Sequence, residues 1–371
     1  MAAIIFIIIL LFIISLQAFL PRFLKESEVF GVYVPDTHVK DVRIEHLKSR
    51  YTNTVLTTGG VLILMFIGWL WVVQPSDNQI GLVGMAIQLA ALTISMALYA
   101  KNHLSLLRWK KDEQWITGQV ERKVVDLQFR EQLKLLPNVY FILPMLITIG
   151  LGAYGLSQYD LLPNQIPTHW GPNGEADAFA KKSYVSVSSL PLMTLLLQGM
   201  MLFFNSAMKQ SGAKIRVRHK KRSREQQLAF RKYSSWLLFI VTISMTVFMS
   251  YLQLTIIAPS TMSTGVTLAF TIGFLVVILG SVLYYTIKIG QSGTMIPVEV
   301  RSSNRSDEAY IDVDDDRYWK WGLFYVNKDD PSILVEKRFG IGWTVNMGHI
   351  KSWVFLAILI GSIILIINLQ S

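Results

Sequence analysis

The chain has 371 residues, of which 52% are hydrophobic and 16% are charged, and its mean hydropathy is +0.40. This composition excludes an ordinary water-soluble domain, because too few polar residues are present to cover its surface. The net charge of +10 suits a membrane protein whose cytoplasmic loops carry excess Lys and Arg, so we expect no nucleic-acid partner.

The first apolar run, residues 2–20, is predicted to be an uncleaved helix whose N-terminus lies outside the cell. No Lys or Arg precedes this run, whereas Arg22 and Lys25 follow it. Residues 15–18 form a poor small-residue cleavage site. These flanks favour a membrane anchor over a signal peptide that is removed.

Seven further apolar runs are long enough to cross about 30 Å of hydrocarbon, for which a helix needs about 20 residues. They lie near residues 52–73, 80–100, 138–156, 184–205, 235–256, 264–287 and 352–369. The sequence therefore predicts an all-α integral membrane protein with about eight transmembrane helices.

The basic residues alternate strictly between the connections of these helices. Lys and Arg number 6, 8, 10 and 9 in connections 21–51, 101–137, 206–234 and 288–351, against 0, 2 and 0 in connections 74–79, 157–183 and 257–263. The positive-inside rule then places both termini outside and the four basic connections in the cytoplasm. The lipid bilayer is the first predicted partner.

No Asp, Glu, Lys or Arg falls inside a predicted span. Ion pumps, proton-coupled transporters, voltage sensors and intramembrane proteases usually need ionisable groups at membrane depth, so these classes are disfavoured. Uncharged polar residues do occur in the spans, and we expect them to join neighbouring helices. The members of this group are Gln88, Thr93, Ser95, Gln198 and Asn205.

Two basic connections have local patterns of their own. Apolar residues recur every three or four positions in connection 101–137, which predicts a cytoplasmic amphipathic helix lying on the bilayer. The residues in this pattern are Ile116, Val120, Val124 and Leu127. In the next basic connection, residues 214–224 are expected to form a solvated anchor near anionic lipid.

The extracellular connection 157–183 holds an ordered motif, in which a His-Trp pair is expected at the membrane interface. Four residues are expected to shape the loop, namely Pro163, Pro167, Gly171 and Gly174. The predicted ligand-binding residues are His169, Trp170, Asn173, Glu175, Asp177 and Lys181. Asp177 and Lys181 are expected to pair with each other or with lipid headgroups.

The spacing of Leu-Pro, Ile-Pro, His-Trp, Gly, Asp and Lys across residues 162–181 resembles a domain of unknown function shared with the SdpI immunity proteins of Gram-positive bacteria. Members of that family are multi-pass proteins that protect a producer cell from a secreted membrane-active peptide and relay its presence inward. The resemblance implies a receptor or immunity protein of the bacterial plasma membrane. Its partners would be an extracellular peptide and, for signalling, a cytoplasmic protein.

The last basic connection begins with an acidic run, residues 314–316, which is expected to be solvated. An aromatic run at 318–326, a turn-forming stretch and an apolar run at 333–335 follow, and they predict a small cytoplasmic β-hairpin between the two runs. Residues 336–346 complete a segment that resembles the C-terminal module of an uncharacterised family of bacterial membrane proteins.

This cytoplasmic module is expected to be a small domain whose three tryptophans, Trp319, Trp321 and Trp343, form its core and interface anchors. Its other candidate functional residues are Tyr325, Asn327, Asp330, Arg338 and Asn346. The spacing of a calcium loop is missing and the chain has no cysteine, so no metal or cofactor is predicted. The predicted regions are residues 1–137, 138–205, 206–287 and 288–371.

Three functions are compatible with the sequence. A receptor or immunity protein that recognises a membrane-active peptide at the outer face is favoured by the resemblance. A transporter of an uncharged solute or lipid would suit the helices, although the chain has no internal repeat. A membrane-embedded enzyme could use His169 with Glu175 or Asp177 as an acid–base pair. Because no nucleophile or metal set accompanies that pair, we expect no enzymatic activity.

Overall fold

The computed structural model describes residues 2–118, 120–124, 126, 128–171, 174–258, 263–298 and 310–370. Eight α-helices lie within these ranges: α1 (Ala2–Phe19), α2 (Val42–Val73), α3 (Asp77–Asp112), α4 (Val139–Ser157), α5 (Tyr184–Gln210), α6 (Lys220–Ile257), α7 (Thr264–Lys288) and α8 (Ile350–Gln370). Each overlaps one predicted span. In the described chain, seven are long and apolar enough to cross a membrane, and the apolar part of α8, Ile350–Ile366, is shorter. The fold is that of an α-helical membrane protein.

The helices pack in two groups. Helices α1, α2 and α3 contact one another, and α4, α5 and α6 form a second group, with α7 against α6 and α8 against α5. Close approach in the second group uses small residues, since a Cβ on Gly155 of α4 would lie 2.8 Å from Gln253 Nε2 on α6.

The connections between helices lie at two ends of the bundle. We call the end formed by residues 74–76, 158–171 and 174–183 the hairpin end. The opposite end, which we call the charged end, is formed by residues 20–41, 113–118, 128–138, 211–219, 289–298 and 310–349. Several helices extend into the charged end beyond their apolar spans. For example, α2 begins at Val42, where Asp41 accepts a hydrogen bond from the Arg43 N–H at 2.8 Å and caps the helix.

Ten short strands form five two-stranded sheets within the described residues. They are β1 (Glu28–Val29), β2 (Val32–Tyr33), β3 (Val120–Arg122), β4 (Gln165–Trp170), β5 (Ala176–Lys181), β6 (Tyr310–Asp312), β7 (Trp319–Lys320), β8 (Phe324–Tyr325), β9 (Leu334–Glu336) and β10 (Trp343–Val345). The pairs are β1–β2, β4–β5, β7–β8 and β9–β10, all antiparallel, and the parallel pair β3–β6.

The largest apolar cluster lies where the first three helices enter the charged end. The β1–β2 turn is inserted there, with Phe30 packed against Tyr51 and Tyr99 at ring-centroid distances of 5.3 and 6.2 Å. Phe30 and Gly31 have φ values of 43° and 74°, as a tight two-residue hairpin turn requires. A Cβ on Gly31 would lie 2.8 Å from the Gly322 Cα, so this turn fits closely against the chain after β7.

The amphipathic helix predicted after residue 115 is wrong. Helix α3 ends at Asp112, and the chain then turns through Gln114 and Gly118, which have φ values of 51° and 79°. Val120 belongs to β3, which pairs with the distant strand β6. Of the periodic apolar residues, Ile116 packs against the cluster of the first three helices, whereas Val120 is 58% exposed. Val124 lies outside any helix or strand, and Leu127 lies outside the described residues.

The hairpin predicted between the aromatic run and the apolar run is also wrong in its pairing. The aromatic run turns back within itself, because Trp321 and Gly322 have φ values of 54° and 69° and join β7 to β8. The apolar run pairs forward, as β9 with β10. A bridge between Tyr325 and Asn346 ties the two small hairpins together.

Candidate functional site

The β4–β5 hairpin brings two of the predicted ligand-binding residues together. In its register Pro167 faces Phe179 and His169 faces Ala178, so the ladder is irregular around Thr168. This bulge places the His169 ring beside Asp177, with 2.5 Å between Nδ1 and Oδ1. The His169 side chain is 68% exposed, so the pair is open to solution.

The hairpin is anchored to the bundle through its inner face. Ile166 is fully buried and packs with Leu162, Val187 and Ile256, which come from the hairpin entry, α5 and α6. Trp170 is partly buried against the same cluster. Trp170 therefore positions the hairpin, and only part of its ring is available to a ligand.

The glycines of the motif close the hairpin tip. Gly174 donates a hydrogen bond to the Gly171 carbonyl at 2.9 Å, and Gly171 donates to the Glu175 carbonyl at 2.8 Å. Gly174 has a φ of 84°, and a Cβ there would lie 3.3 Å from Leu268 Cγ on α7. The tip is thereby held against the start of α7. Pro167 lies within β4 and, having no N–H, gives the strand no donor at that position.

The remaining predicted residues that the structure describes occupy other positions along the hairpin. Pro163 is exposed just before β4, and Glu175 is exposed at the start of the return strand. Lys181 ends β5, four residues from Asp177, which is about 13 Å along a strand. Asp177 therefore contacts the His169 ring and not Lys181, while the alternative pairing of these residues with lipid headgroups stays a prediction. Asn173 lies outside the described residues.

Sequence reasoning missed several aromatic and basic residues around the hairpin. Phe179 is a large exposed apolar side chain on β5. Tyr159 and Tyr184, which flank the hairpin in sequence, stack with ring centroids 4.3 Å apart. Lys182 lies over the Tyr159 ring and donates to the Leu162 carbonyl at 2.9 Å. The alternation of Phe179 with small residues at every second position is typical of a β-strand. The sequence prediction instead interpreted this segment as a turn-rich loop.

Polar side chains join the helices that lead from the hairpin to the charged end. Gln198 of α5 donates to Thr148 of α4 at 2.9 Å and to Thr246 of α6 at 2.8 Å. Farther along α5, the Asn205 Oδ1 accepts a hydrogen bond from Ser235 of α6 at 2.5 Å. The expectation that Gln198 and Asn205 join neighbouring helices is confirmed.

The charged end contains a buried ion-pair network that the sequence analysis did not predict. Arg338 is 1% exposed and its guanidinium contacts both Asp315 and Asp316. Lys110, from the end of α3, contacts Asp316 and lies 2.7 Å from Asp314. The acidic run was expected to be solvated, and this expectation is wrong because basic residues from distant segments enclose it.

The basic partners of the acidic run change the pKa values of its carboxyl groups. Burial alone would raise the pKa of Asp315, but Lys214 and Arg338 outweigh it and hold that pKa well below its usual range. Asp314 behaves in the opposite way, because burial and the neighbouring charge of Asp316 raise its pKa despite Lys110. The network therefore favours the charged form of Asp315.

A second buried carboxylate, Glu336 on β9, joins further segments. Its side chain lies 3.4 Å from the Lys25 Nζ and 3.5 Å from an Arg231 guanidinium nitrogen on α6. Ser292 and Gln227 also donate hydrogen bonds to it. Burial opposes its ionisation, yet Lys25 and Arg231 hold the pKa of Glu336 below its usual value. This residue thus binds β9 to the helix ends.

The basic run 214–224 is mostly engaged in ion pairs, so its predicted role as a solvated anchor is wrong for those members. Four of its seven basic residues pair with carboxylates far away in sequence: Lys214 with Asp315, Arg216 and Arg218 with Asp36, and Arg224 with Asp126. Exposed members remain between them, for example Lys221 and Arg222. The local pattern indicated charge correctly but not the partners.

The three tryptophans of the C-terminal module differ in burial. Trp319 is buried and packs against Tyr325 with ring centroids 5.1 Å apart. Trp343 is partly buried and stacks on Phe230 of α6 at 4.7 Å. Trp321 is 65% exposed, so its predicted place in the core is wrong. Its position in the tight turn between β7 and β8 directs it away from the packed side.

The amide and hydroxyl residues of the module form a closed network. Asn346 is fully buried and donates to the carbonyls of Asn327 at 2.8 Å and Asp330 at 3.1 Å. Its Oδ1 accepts from the Asn327 N–H at 3.1 Å, while the Tyr325 hydroxyl donates to Asp330 at 3.0 Å. These contacts hold the turn of the module against the segment that enters α8, which is a structural role.

Among the described residues no group of His, Asp and Glu side chains has the arrangement of a metal site. The arrangement at the hairpin end therefore offers hydrogen bonds and apolar contact. At the charged end it offers packing and buried charge.

Comparison with known proteins identifies two modules in the chain. A domain of unknown function (DUF1648) matches residues 141–195, which comprise most of α4, the hairpin and the first part of α5. A family of unknown function (DUF5808) matches residues 328–353, from the turn of the C-terminal module to the start of α8. No curated protein and no solved structure matches the chain. The hairpin and the C-terminal turn thus belong to modules that occur in other proteins, and neither module has an assigned activity.

Proposed function

We propose that this chain is a plasma-membrane receptor of the immunity type, whose β4–β5 hairpin recognises a membrane-active peptide at the outer face. The observation that supports the proposal most is the exposed contact between His169 and Asp177. It is held on a hairpin whose other face is anchored in the bundle by the buried Ile166. A rigid support with an open polar pair is what recognition requires, because little conformational entropy is then lost on binding.

The chemistry of the hairpin suits an amphipathic peptide. His169 and Asp177 can exchange hydrogen bonds with a peptide backbone or polar side chain, while Phe179 and the open part of Trp170 offer apolar contact. In the described structure β4 and β5 pair only with each other, so each presents an outer edge to which an extended peptide can add.

The enzyme and transporter alternatives receive less support. The His169 ring is mostly exposed, and water at such a site weakens the electrostatic effects on which acid–base catalysis depends. A transporter needs a substrate path, whereas the α4–α5–α6 interface is filled by the hydrogen bonds of Gln198 with Thr148 and Thr246.

An inward relay would use α5, which follows the hairpin directly. At the other end of α5, Arg231 donates to the Met208 carbonyl and to Ser211 Oγ at 2.5 and 2.6 Å. The same Arg231 lies beside Glu336 of the C-terminal module. A displacement of α5 would therefore move Arg231 relative to Glu336. We propose that the charged end contacts the cytoplasmic partner.

Sensitivity to membrane-active peptides tests the proposal. Deleting the protein is expected to raise the sensitivity of the cell to one peptide in a panel, and the intact chain should restore protection. His169→Ala and Asp177→Asn are each expected to weaken binding of that peptide by about tenfold or more, since a hydrogen bond to a charged group contributes about 1.5–3 kcal/mol. Binding is measured with the purified chain in detergent.

Gln165→Ala is the matched control, because this exposed side chain lies at the far end of β4 and should leave protection unchanged. Trp170→Ala is expected to reduce protection and also protein abundance, since that ring anchors the hairpin. Unaltered peptide sensitivity in the deletion strain, with changed lipid composition or solute uptake, would favour the transporter. Full protection by both His169→Ala and Asp177→Asn would remove the hairpin as the recognition site.

The orientation of the chain is tested separately with single cysteines, which the natural sequence lacks. Lys181→Cys at the hairpin end is expected to react with an impermeant maleimide in intact cells. Lys221→Cys at the charged end should react only after permeabilisation, as the distribution of basic residues predicts. The reverse pattern of labelling would place the hairpin in the cytoplasm and contradict the proposed function.

A further inference from the structure

The charged end contains a cavity of about 150 Å³ that the ion-pair network borders but does not fill. Its walls come from the segment after α1, the segment before α6, the first turns of α6 and the segment after α7. The basic residues that line it are Arg22, Lys25, Lys214, Arg216 and Arg222. Among the described residues Glu26 is its acidic lining residue, so the wall carries an excess of positive charge.

The five basic residues are not equally neutralised. Lys25, Lys214 and Arg216 pair with carboxylates that do not line the cavity. Arg22 and Arg222 are exposed, and neither has a carboxylate within ion-pair distance in the part of the chain that the structure describes. Arg22 lies over the ring of Phe19, at 5.3 Å from its centroid. Within the described residues, these two guanidinium groups at the cavity thus form no ion pair.

The start of α6 adds to this positive field. His219 precedes the helix and its side chain makes no capping hydrogen bond, and the first turn carries no acidic residue. Arg222, which lines the cavity, lies in that turn, and the N-terminus of a helix already carries positive partial charge. Burial, together with the charges of Arg216 and Arg222, lowers the pKa of the His219 imidazole even though Asp36 opposes them. An anion would relieve this accumulation of positive charge.

A buried polar atom supplies an independent sign of a ligand. Gln227 lines the cavity, is 1% exposed and donates through Nε2 to Glu336 at 2.9 Å. Its Oε1 has no hydrogen-bond partner among the residues that the structure describes. A buried acceptor of this kind is costly unless a donor reaches it, so the expected ligand carries a hydroxyl group beside its anionic group. Arg216 Nε, also buried, makes no hydrogen bond within the described residues, although it lies 3.6 Å from an Asp312 carboxylate oxygen.

We propose that this cavity binds a phosphate ester, with Arg22 and Arg222 binding the phosphate oxygens and Gln227 accepting a hydrogen bond from a neighbouring hydroxyl. Guanidinium groups suit phosphate because their planar N–H donors match its oxygens in pairs. The ester is either the headgroup of an anionic lipid such as phosphatidylglycerol or a soluble phosphate ester. This site is independent of the hairpin and of peptide recognition.

Titration of the purified full chain in phosphate-free detergent tests the proposal. Glycerol 1-phosphate is the soluble probe, inorganic phosphate lacks the carbon-bound hydroxyls, and chloride at equal ionic strength is the control for screening. Glycerol 1-phosphate should bind more tightly than inorganic phosphate and raise the unfolding temperature, whereas chloride should not. The double variant with Arg22→Gln and Arg222→Gln is expected to weaken binding of glycerol 1-phosphate by at least tenfold.

Lys221→Gln is the matched control, because this exposed lysine shares the first turn of α6 but does not line the cavity. It should bind as tightly as the natural chain. The variants change exposed side chains, and thermal unfolding without ligand verifies that each is folded. Equal weakening by Lys221→Gln and by the double variant would indicate non-specific surface charge and overturn the site. Unchanged binding in the double variant would overturn it as well.

A second arm distinguishes the source of the phosphate. The chain is placed in nanodiscs of phosphatidylcholine with or without phosphatidylglycerol, and retained lipid is counted by native mass spectrometry. Selective retention of phosphatidylglycerol that the double variant loses would identify a lipid headgroup. Binding of glycerol 1-phosphate without such retention would identify a soluble ester. Absence of both signals in the natural chain would refute the proposal.

Discussion

Arg338→Met is expected to lower the free energy of unfolding by about 3–5 kcal/mol, because it leaves Asp315 and Asp316 enclosed without their shared partner. Met retains much of the side-chain volume, so the loss reports the missing charge and hydrogen bonds. Arg338→Lys keeps the charge but cannot contact both carboxylates through a planar guanidinium group. Its free energy of unfolding should therefore lie between those of the natural chain and Arg338→Met. Denaturant unfolding in detergent, followed by tryptophan fluorescence, measures these differences.

Arg317→Met is the control for the Arg338 variants. Arg317 is exposed and lies over the Tyr318 ring, so its replacement should cost less than about 1 kcal/mol. A loss for Arg338→Met that does not exceed the loss for Arg317→Met would contradict the importance of the buried network.

The pH dependence of the Arg338 effect follows from the lowered pKa of Asp315. Burial acts to raise this pKa, but Lys214 and Arg338 overcome it. A carboxyl whose pKa is lower in the folded state contributes its full stability above its unfolded pKa, about 3.9, and loses that stability as the pH falls through the folded value. The difference between the natural chain and Arg338→Met should therefore be constant near neutral pH and shrink below about pH 4.

Trp343→Ala is expected to destabilise the protein by about 3 kcal/mol, at the lower end for a large aromatic residue because Trp343 is only partly buried. Its indole stacks on Phe230 of α6, so the variant removes a contact between the C-terminal module and the helices. Trp321→Ala removes the same chemical group from an exposed turn and should cost less than about 1 kcal/mol. Equal stability of the two variants would show that the stacking contact is unimportant in solution.

The hairpin at residues 165–181 could be predicted in part from its local sequence pattern. Its prolines, its glycines and the His-Trp pair indicated an ordered element, and the structure contains a hairpin there. The contact of His169 with Asp177 depends on the irregular register around Thr168, and the spacing of residues in the sequence does not predict this register. Asp177 therefore contacts His169 and not Lys181.

The positions of the helices follow from local composition, because a stretch of about 20 apolar residues in lipid must satisfy its backbone hydrogen bonds within the stretch. Each predicted span corresponds to a helix, from α1 to α8. The distribution of basic residues likewise separated the two sets of connections. These properties are local, so they can be read along the chain without knowledge of its packing.

The burial and the partners of the charged and aromatic side chains in the basic connections depend on contacts between distant segments. Lys110 contacts Asp316 across 206 residues, and Arg231 approaches Glu336 from another helix. The left-handed turn at Trp321 and Gly322 separated Trp321 from the core that Trp319 joined. A charged or aromatic run has the same local pattern whether it is solvated or enclosed, because enclosure depends on which distant segments fold over it.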